Sequence, residues 1–170
     1  MTTTHDGVTF ATMEAEAPEL AQRAHERFSA IGLSLVGSLR SDGWPRISPV
    51  EPLVFEGQLY LGMMPGSTKS LDLGRDSRCL VHSTISDKDG GEGEVKLYGH
   101  ARRITDTDEV ERYCVALEAA IGWRPQVDAL DLWVLDITSA AYQRFDGGSQ
   151  TVTTWRPGEA PSAHAATHDY

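Results

Sequence analysis

From Leu33 to Trp155 the sequence consists largely of short runs in which apolar and polar residues alternate, divided by turn-forming residues. This period of two restricts the fold more than any other feature of the chain. In the first run Leu33, Leu35 and Leu39 share one face, and Ser34, Val36, Ser38 and Arg40 share the other. Ser41-Asp42-Gly43 supplies a turn, so the return through 45–55 predicts a hairpin, and Glu56-Gly57 turns the chain again into a strand over 58–63. Further strands are expected over 78–83, 94–104, 130–138, 140–146 and 150–156, the last two joined by Asp146-Gly147-Gly148. Helical spacing is confined to a few stretches. Leu20, Ala24, Phe28 and Ile31 follow Pro18, while Val110, Cys114, Leu117 and Ile121 follow the capping residue Asp106. A short helix is expected over 68–75. About eight strands and two main helices provide too few crossovers for a parallel sheet. They predict a mainly β, α+β fold: a closed or split antiparallel barrel with flanking helices, because closure removes exposed strand edges.

A chain of 170 residues can bury one substantial core and is short for two. The expected division is a flexible N-terminal arm over 1–16, a folded domain over 17–156 and a flexible tail over 157–170. Twenty-five acidic against fifteen basic residues give a formal charge of -10, which repels a nucleic-acid backbone or an anionic membrane. No window approaches the roughly 18 consecutive apolar residues of a membrane span. Met1-Thr2-Thr3-Thr4-His5-Asp6 has no basic segment leading into an apolar one, so a cytoplasmic protein is expected, with neither nucleic acid nor membrane as partner. Cys79 and Cys114 lack CxxC spacing and are expected as buried, reduced thiols.

The chemistry concentrates in the middle third. Strand 58–63 runs into a loop carrying Ser67, Thr68 and Lys69 just where a helix begins. Hydroxyls, free amides and one ammonium at a helix start suit a phosphate, because amides and the start of the helix dipole attract anions. Nearby, Ser48-Pro49 interrupts a strand, since proline donates no ladder hydrogen bond. Arg46 is a further candidate, and Trp155-Arg156 another, because an arginine can stack on a ring or pair with a phosphate. His82 and His100 fall in strands, and His164 and His168 lack a second pair of ligands at metal spacing. No Ser–His–Asp order or metal-ligand cluster stands out, so neither a catalytic side chain nor a metal site is assigned.

Taken in order, several segments resemble the pyridoxamine 5'-phosphate oxidase-like superfamily. They are Asp42-Gly43-Trp44-Pro45-Arg46-Ile47-Ser48-Pro49-Val50, Gly57-Gln58-Leu59-Tyr60-Leu61, Ser67-Thr68-Lys69-Ser70-Leu71-Asp72-Leu73, Arg75-Asp76-Ser77-Arg78-Cys79-Leu80 and Val95-Lys96-Leu97-Tyr98-Gly99-His100-Ala101-Arg102. The similarity extends over residues 17–146. It implies a split β-barrel homodimer that binds FMN or the deazaflavin coenzyme F-420 at the subunit interface. Carried over by position, Arg46, Ile47, Ser48, Pro49 and Val50 would edge the isoalloxazine ring through main-chain atoms, with Gly62 and Met63 alongside. Ser67, Thr68 and Lys69 would hold the phosphate, and Trp155 and Arg156 would cover the ring from a second copy. The longer acidic tail of the deazaflavin would want extra cations, such as Arg75, Lys88 or Lys96. Where the vitamin B6 oxidase has a basic strand segment, this chain has the acidic, proline-containing Val50-Glu51-Pro52-Leu53. The resemblance therefore implies a cofactor class more directly than a reaction. The leading expectation is a flavin- or deazaflavin-dependent oxidoreductase acting on a small substrate. The alternative is a non-catalytic split barrel that carries flavin, haem or another planar ligand.

Overall fold

The computed structural model describes residues 7–167. It begins with a helix, α1 (Phe10–Glu16), capped by Thr9, whose hydroxyl accepts a hydrogen bond from the Thr12 amide at 3.2 Å. Phe10 and Met13 are fully buried in the main core, so residues 10–16 are packed helix where a loose arm was expected. Two apolar residues one turn apart leave almost no periodic signal, yet they anchor a short helix. Residues 1–6 lie outside the described chain. Pro18 then opens α2 (Pro18–Ile31), which ends at a left-handed Gly32. Leu20, Ala24 and Phe28 are buried as expected, but Ile31 is exposed on the last turn.

The sheet follows with β1 (Ser34–Leu39), β2 (Pro45–Val50), β3 (Pro52–Phe55) and β4 (Gln58–Met63), and then α3 (Thr68–Arg75). Next come β5 (Arg78–Ser83), β6 (Glu94–Ile104), α4 (Thr107–Ile121), a short 3-10 turn (Val127–Ala129), β7 (Asp131–Asp146), β8 (Ser149–Trp155) and β9 (Ser162–Thr167). Two of these differ from expectation. β7 is one continuous strand where two were expected, and residues 162–167 pair with β8 where a flexible tail was expected. Every side chain of β9 is exposed, so no buried face marks it in the sequence. Residues 168–170, including His168, lie outside the described chain.

All strand pairs are antiparallel, in the order β2-β1-β5-β6-β7-β4-β3, with β8 and β9 added beside β7. The two ends of this order, β2 and β3, are joined in sequence by Glu51 alone. The sheet therefore curls until its ends meet at a corner, but β2 and β3 do not pair. Pro49 and Pro52 flank that corner, and neither has an N–H to donate across it. The result is a split β-barrel with helices outside.

The barrel interior is filled by Val36, Leu61, Val81, Leu97, Leu135 and Ile137, and α1 and α2 cover it with Phe10, Met13 and Phe28. A second cluster under α4 joins Tyr60, Tyr113, Cys114, Leu117, Leu132 and Val134. On β1 the buried face is the hydroxyl-bearing one, Ser34, Val36 and Ser38, and Ser34 Oγ donates to the Val50 carbonyl at 3.0 Å. The register of β6 against β7 slips between Tyr98 and Gly99, where a Cβ on Gly99 would stand 2.1 Å from the Asp136 carbonyl oxygen. Only glycine permits that bulge. Cys79 and Cys114 are free and buried, and burial pushes the Cys79 thiol up to about 12. Among the described residues, no helix is long and apolar enough to cross a membrane.

Candidate functional site

Helix α3 starts directly behind β4. Gly66 donates its amide to Asp131 Oδ2 at 3.0 Å, and Ser67 donates its amide to the Met64 carbonyl at 3.1 Å, which turns the chain into the helix. Ser67 occupies the N-cap with extended backbone, but its hydroxyl makes no capping bond and is a buried oxygen without a partner. Such a group costs about 1–3 kcal/mol unless something satisfies it. The first internal amide of α3 is that of Leu71, donating to the Ser67 carbonyl at 2.9 Å. The amides of Thr68, Lys69 and Ser70 have no acceptor among the described residues, as helix starts leave them. Lys69 adds a full charge. Thirteen of the fifteen lysines and arginines are ion-paired with a carboxylate, and Lys69 and Arg156 are the two that are not, among the described residues. In a chain of charge -10, an unpaired lysine beside open amides is chemically suited to an anion.

Lys69 opens onto a cleft of about 360 Å³. Its walls are Pro49, Val50 and Glu51 at the corner, Gly62, Met63 and Met64 at the end of β4, Tyr113, Leu117 and Ile121 of α4, and Trp123, Ala129 and Leu130. The cleft lies in the split of the barrel. β3 stops pairing with β4 at Pro52 and Leu61, so Gly62 and Met63 pair on one side only, with Leu132 and Asp131 of β7. Their free edge suits main-chain hydrogen bonds to a flat ligand, and the walls supply apolar contact. Gly62 also admits Tyr113, since a Cβ at that position would stand 2.6 Å from the phenol oxygen. Tyr113 is 1% exposed. Burial first, then Cys114 and Glu51, push its phenol upward, so the hydroxyl stays protonated.

The twelve candidate residues fall into three groups. Pro49, Val50, Gly62, Met63 and Lys69 line the cleft, with Ser67 and Thr68 at the helix start beside Lys69. Arg46, Ile47 and Ser48 do not line it. Arg46 Nε donates to Asp72 Oδ2 at 2.5 Å, and Arg75 holds the other oxygen at 2.9 Å, so Arg46 ties β2 to α3. Burial raises the Asp72 carboxyl, but these two arginines outweigh it and leave it below its ordinary value. Ile47 is 71% exposed on β2, whose only strand partner among the described residues is β1. Trp155 and Arg156 lie elsewhere, in a depression shared with Tyr98, Ser139 and Glu159. The Trp155 ring is packed in the main core, which leaves Arg156 as the exposed member of the pair. Of the extra cations named for a deazaflavin tail, Arg75, Lys88 and Lys96 all have carboxylate partners.

Other residues of the site escaped the sequence reading. Asp131 accepts from Gly66 and, at 2.6 Å, from Ser70 Oγ, and it pairs with Arg103; Trp133 Nε1 in turn donates to Ser70 Oγ at 3.1 Å. This network clamps the α3 start onto β7. Burial raises the Asp131 carboxyl, but Ser70, Gly66 and Arg103 lower it further. No local pattern marks Asp131. Tyr113 was detectable, because the buried stripe of α4 is Val110, Tyr113, Cys114 and Leu117, and the expected Ile121 is exposed to the cleft instead. A larger hollow of about 660 Å³ lies between the loop 85–90 and the hairpin 143–148. Its charged groups are already engaged, for Asp87 accepts from the Asp89 and Gly91 amides, Lys88 pairs with Asp89 and Glu94 pairs with Lys96.

Neither a family model nor a curated protein sequence matches the chain. Solved structures do match by fold. A pyridoxamine 5'-phosphate oxidase-related, FMN-binding protein from Nostoc punctiforme superposes with a TM-score of 0.62 at 11% identity, covering 89% of this chain and 96% of its own. A NimC/NimA family protein from Clostridium acetobutylicum gives 0.59 at 14% identity, covering 91% and 97%. A haem-binding protein from Mycobacterium smegmatis gives 0.60 at 18% identity, covering 87% of this chain but 57% of its own. The chain has the split-barrel fold of the pyridoxamine 5'-phosphate oxidase-like proteins.

Proposed function

We propose that this protein binds a flavin-type cofactor in the cleft at the barrel split and acts as an oxidoreductase on a small substrate. FMN is the first choice and the deazaflavin coenzyme F-420 the second. The observation that carries this reading is the start of α3, which carries a buried unpartnered Ser67 hydroxyl, three open amides and the unpaired Lys69 that borders the cleft. That donor set fits a phosphate monoester. The FMN binding of the Nostoc punctiforme neighbour supports the same choice. Pro49, Val50, Gly62 and Met63 would lie along the ring, and the apolar walls would exclude water from it. A bound flavin supplies the hydride or electron transfer. Asp131, Ser70 and Arg46 hold the phosphate loop from behind.

A second copy of the chain would complete the site. Trp44, Ile47, Met64, Leu71 and Trp123 are among the large apolar side chains with more than half of their surface exposed, and Met64 and Trp123 line the cleft itself, which favours covering by a partner. Arg156, unpaired in one chain, is the residue such a partner would offer.

A haem carrier is the second reading, favoured by the Mycobacterium smegmatis neighbour. Among the described residues the cleft is lined by neither His nor Cys, so an axial ligand would fall to Met63 or Met64. The absorption spectrum of the purified protein, with mass spectrometry of whatever denaturation releases, separates these readings. A flavin spectrum bleached by NAD(P)H and restored by an oxidising substrate supports the oxidoreductase, whereas a flavin that never turns over supports a carrier. A Soret band supports haem, and a colourless protein that binds none of these ligands defeats both. Light scattering at micromolar concentration tests the dimer, and a monomer contradicts it.

A further inference from the structure

The cleft is polar at two places of opposite sign. Lys69 marks one, and Glu51 marks the other at the corner, where it also borders the adjoining depression beneath α2 together with Leu117 and Ile121. Glu51 has no ion-pair partner among the described residues, and its side chain is exposed. Beside it the cleft holds Trp123, exposed along the wall, and Tyr113, buried except where its hydroxyl meets the cleft beside Gly62. The Tyr113 oxygen is hydrogen-bonded to no described residue. The remaining walls here are Leu117, Ile121 and Leu130.

We infer that the Glu51 end of the cleft is a subsite for a protonated amine carried on an otherwise apolar small molecule. Glu51 is the counter-ion, the face of Trp123 attracts the cation, and the Tyr113 oxygen accepts one N–H. An unpaired carboxylate among aromatic rings is the combination that recognises an ammonium group in an apolar setting. The inference deepens the cofactor reading and rests on it, because a phosphate at Lys69 neutralises the competing positive charge.

The test uses flavin-loaded protein, with FMN occupancy read from absorbance and three probes of one shape titrated by calorimetry: benzylammonium, benzyl alcohol and benzoate. Benzylammonium is expected to bind at least about tenfold more tightly than the other two, as a charge-assisted contact implies. Glu51→Gln, compared with the wild type at equal FMN loading, is expected to reduce that preference to less than about threefold, and Tyr113→Phe to weaken the amine severalfold. Equal binding of amine and alcohol by the wild type, or a preference that survives Glu51→Gln, overturns the subsite. A protein that takes up no FMN overturns the cofactor reading instead, and the same amine titration on it then decides the subsite separately.

Discussion

The β5–β6–β7 face and the corner at Glu51 belong to one sheet, but they are finished in opposite ways. Along β5, β6 and β7 the ladders run unbroken except for the bulge at Gly99, and Val81, Leu97 and Leu135 fill the inner side completely. At the corner, Pro49 and Pro52 have no N–H to offer, β2 and β3 fail to pair, and Gly62, Met63 and the start of α3 keep polar atoms open. The first region spends its polar groups on itself and stabilises the fold. The second leaves them unpaired, as the proposed cofactor site requires, and is held in shape by Asp131 and Asp72. Stability and binding should therefore separate by position.

The largest effect is expected on the filled face. Leu135→Ala should cost about 2–5 kcal/mol of stability by chemical denaturation, with cofactor affinity unchanged in the fraction that remains folded. A large affinity change there would break the separation. Asp131→Ala should come next, at about 2–4 kcal/mol, because it leaves Gly66, Ser70 and Arg103 without their acceptor. Unlike Leu135→Ala, it should also weaken the cofactor, by loosening the α3 start. Ser67→Ala should leave stability unchanged or slightly raised, since it removes a buried unpartnered hydroxyl, and should weaken cofactor binding by about 0.5–1.5 kcal/mol. Loss of stability without loss of affinity would assign Ser67 to the fold. The smallest effect concerns acid. Asp72 titrates below its ordinary 3.8 in the folded protein, so its pairs with Arg46 and Arg75 contribute fully above that value and are lost as pH falls through the lower, folded one. Acid unfolding followed for Asp72→Asn should show a shallower fall over that window, and an unchanged profile would remove the pairs from the stability account.

How much of this was legible follows the same division. The β1–β2 hairpin, β4, α3, β5 and β6 were readable because turn residues and alternation are local signals, and the split barrel followed from their order. α1 and β9 were not, since one is anchored by two residues and the other is held only by backbone pairing with β8. Ser67, Thr68 and Lys69 could be placed together at the start of α3 from the sequence because a helix start needs only its own neighbours. The ion pair of the Arg46 side chain was not legible, since its partner Asp72 lies 26 positions away and only the packing of α3 on β2 brings them together. Asp131 escaped for the same reason, since it lies 65 positions from the Gly66 amide it receives. Tyr113 was left out of the α4 stripe, which holds it beside the expected Val110, Cys114 and Leu117.

The central claim is that the open start of α3 beside the split holds a cofactor phosphate, with Lys69 as its cation. Fluorescence titration of FMN into the wild type and Lys69→Ala, side by side at low salt, tests it most directly. Saturable binding by the wild type, weakened at least about tenfold in Lys69→Ala with an unchanged unfolding midpoint, is the expected result. Equal dissociation constants, or no binding by either protein, would contradict it.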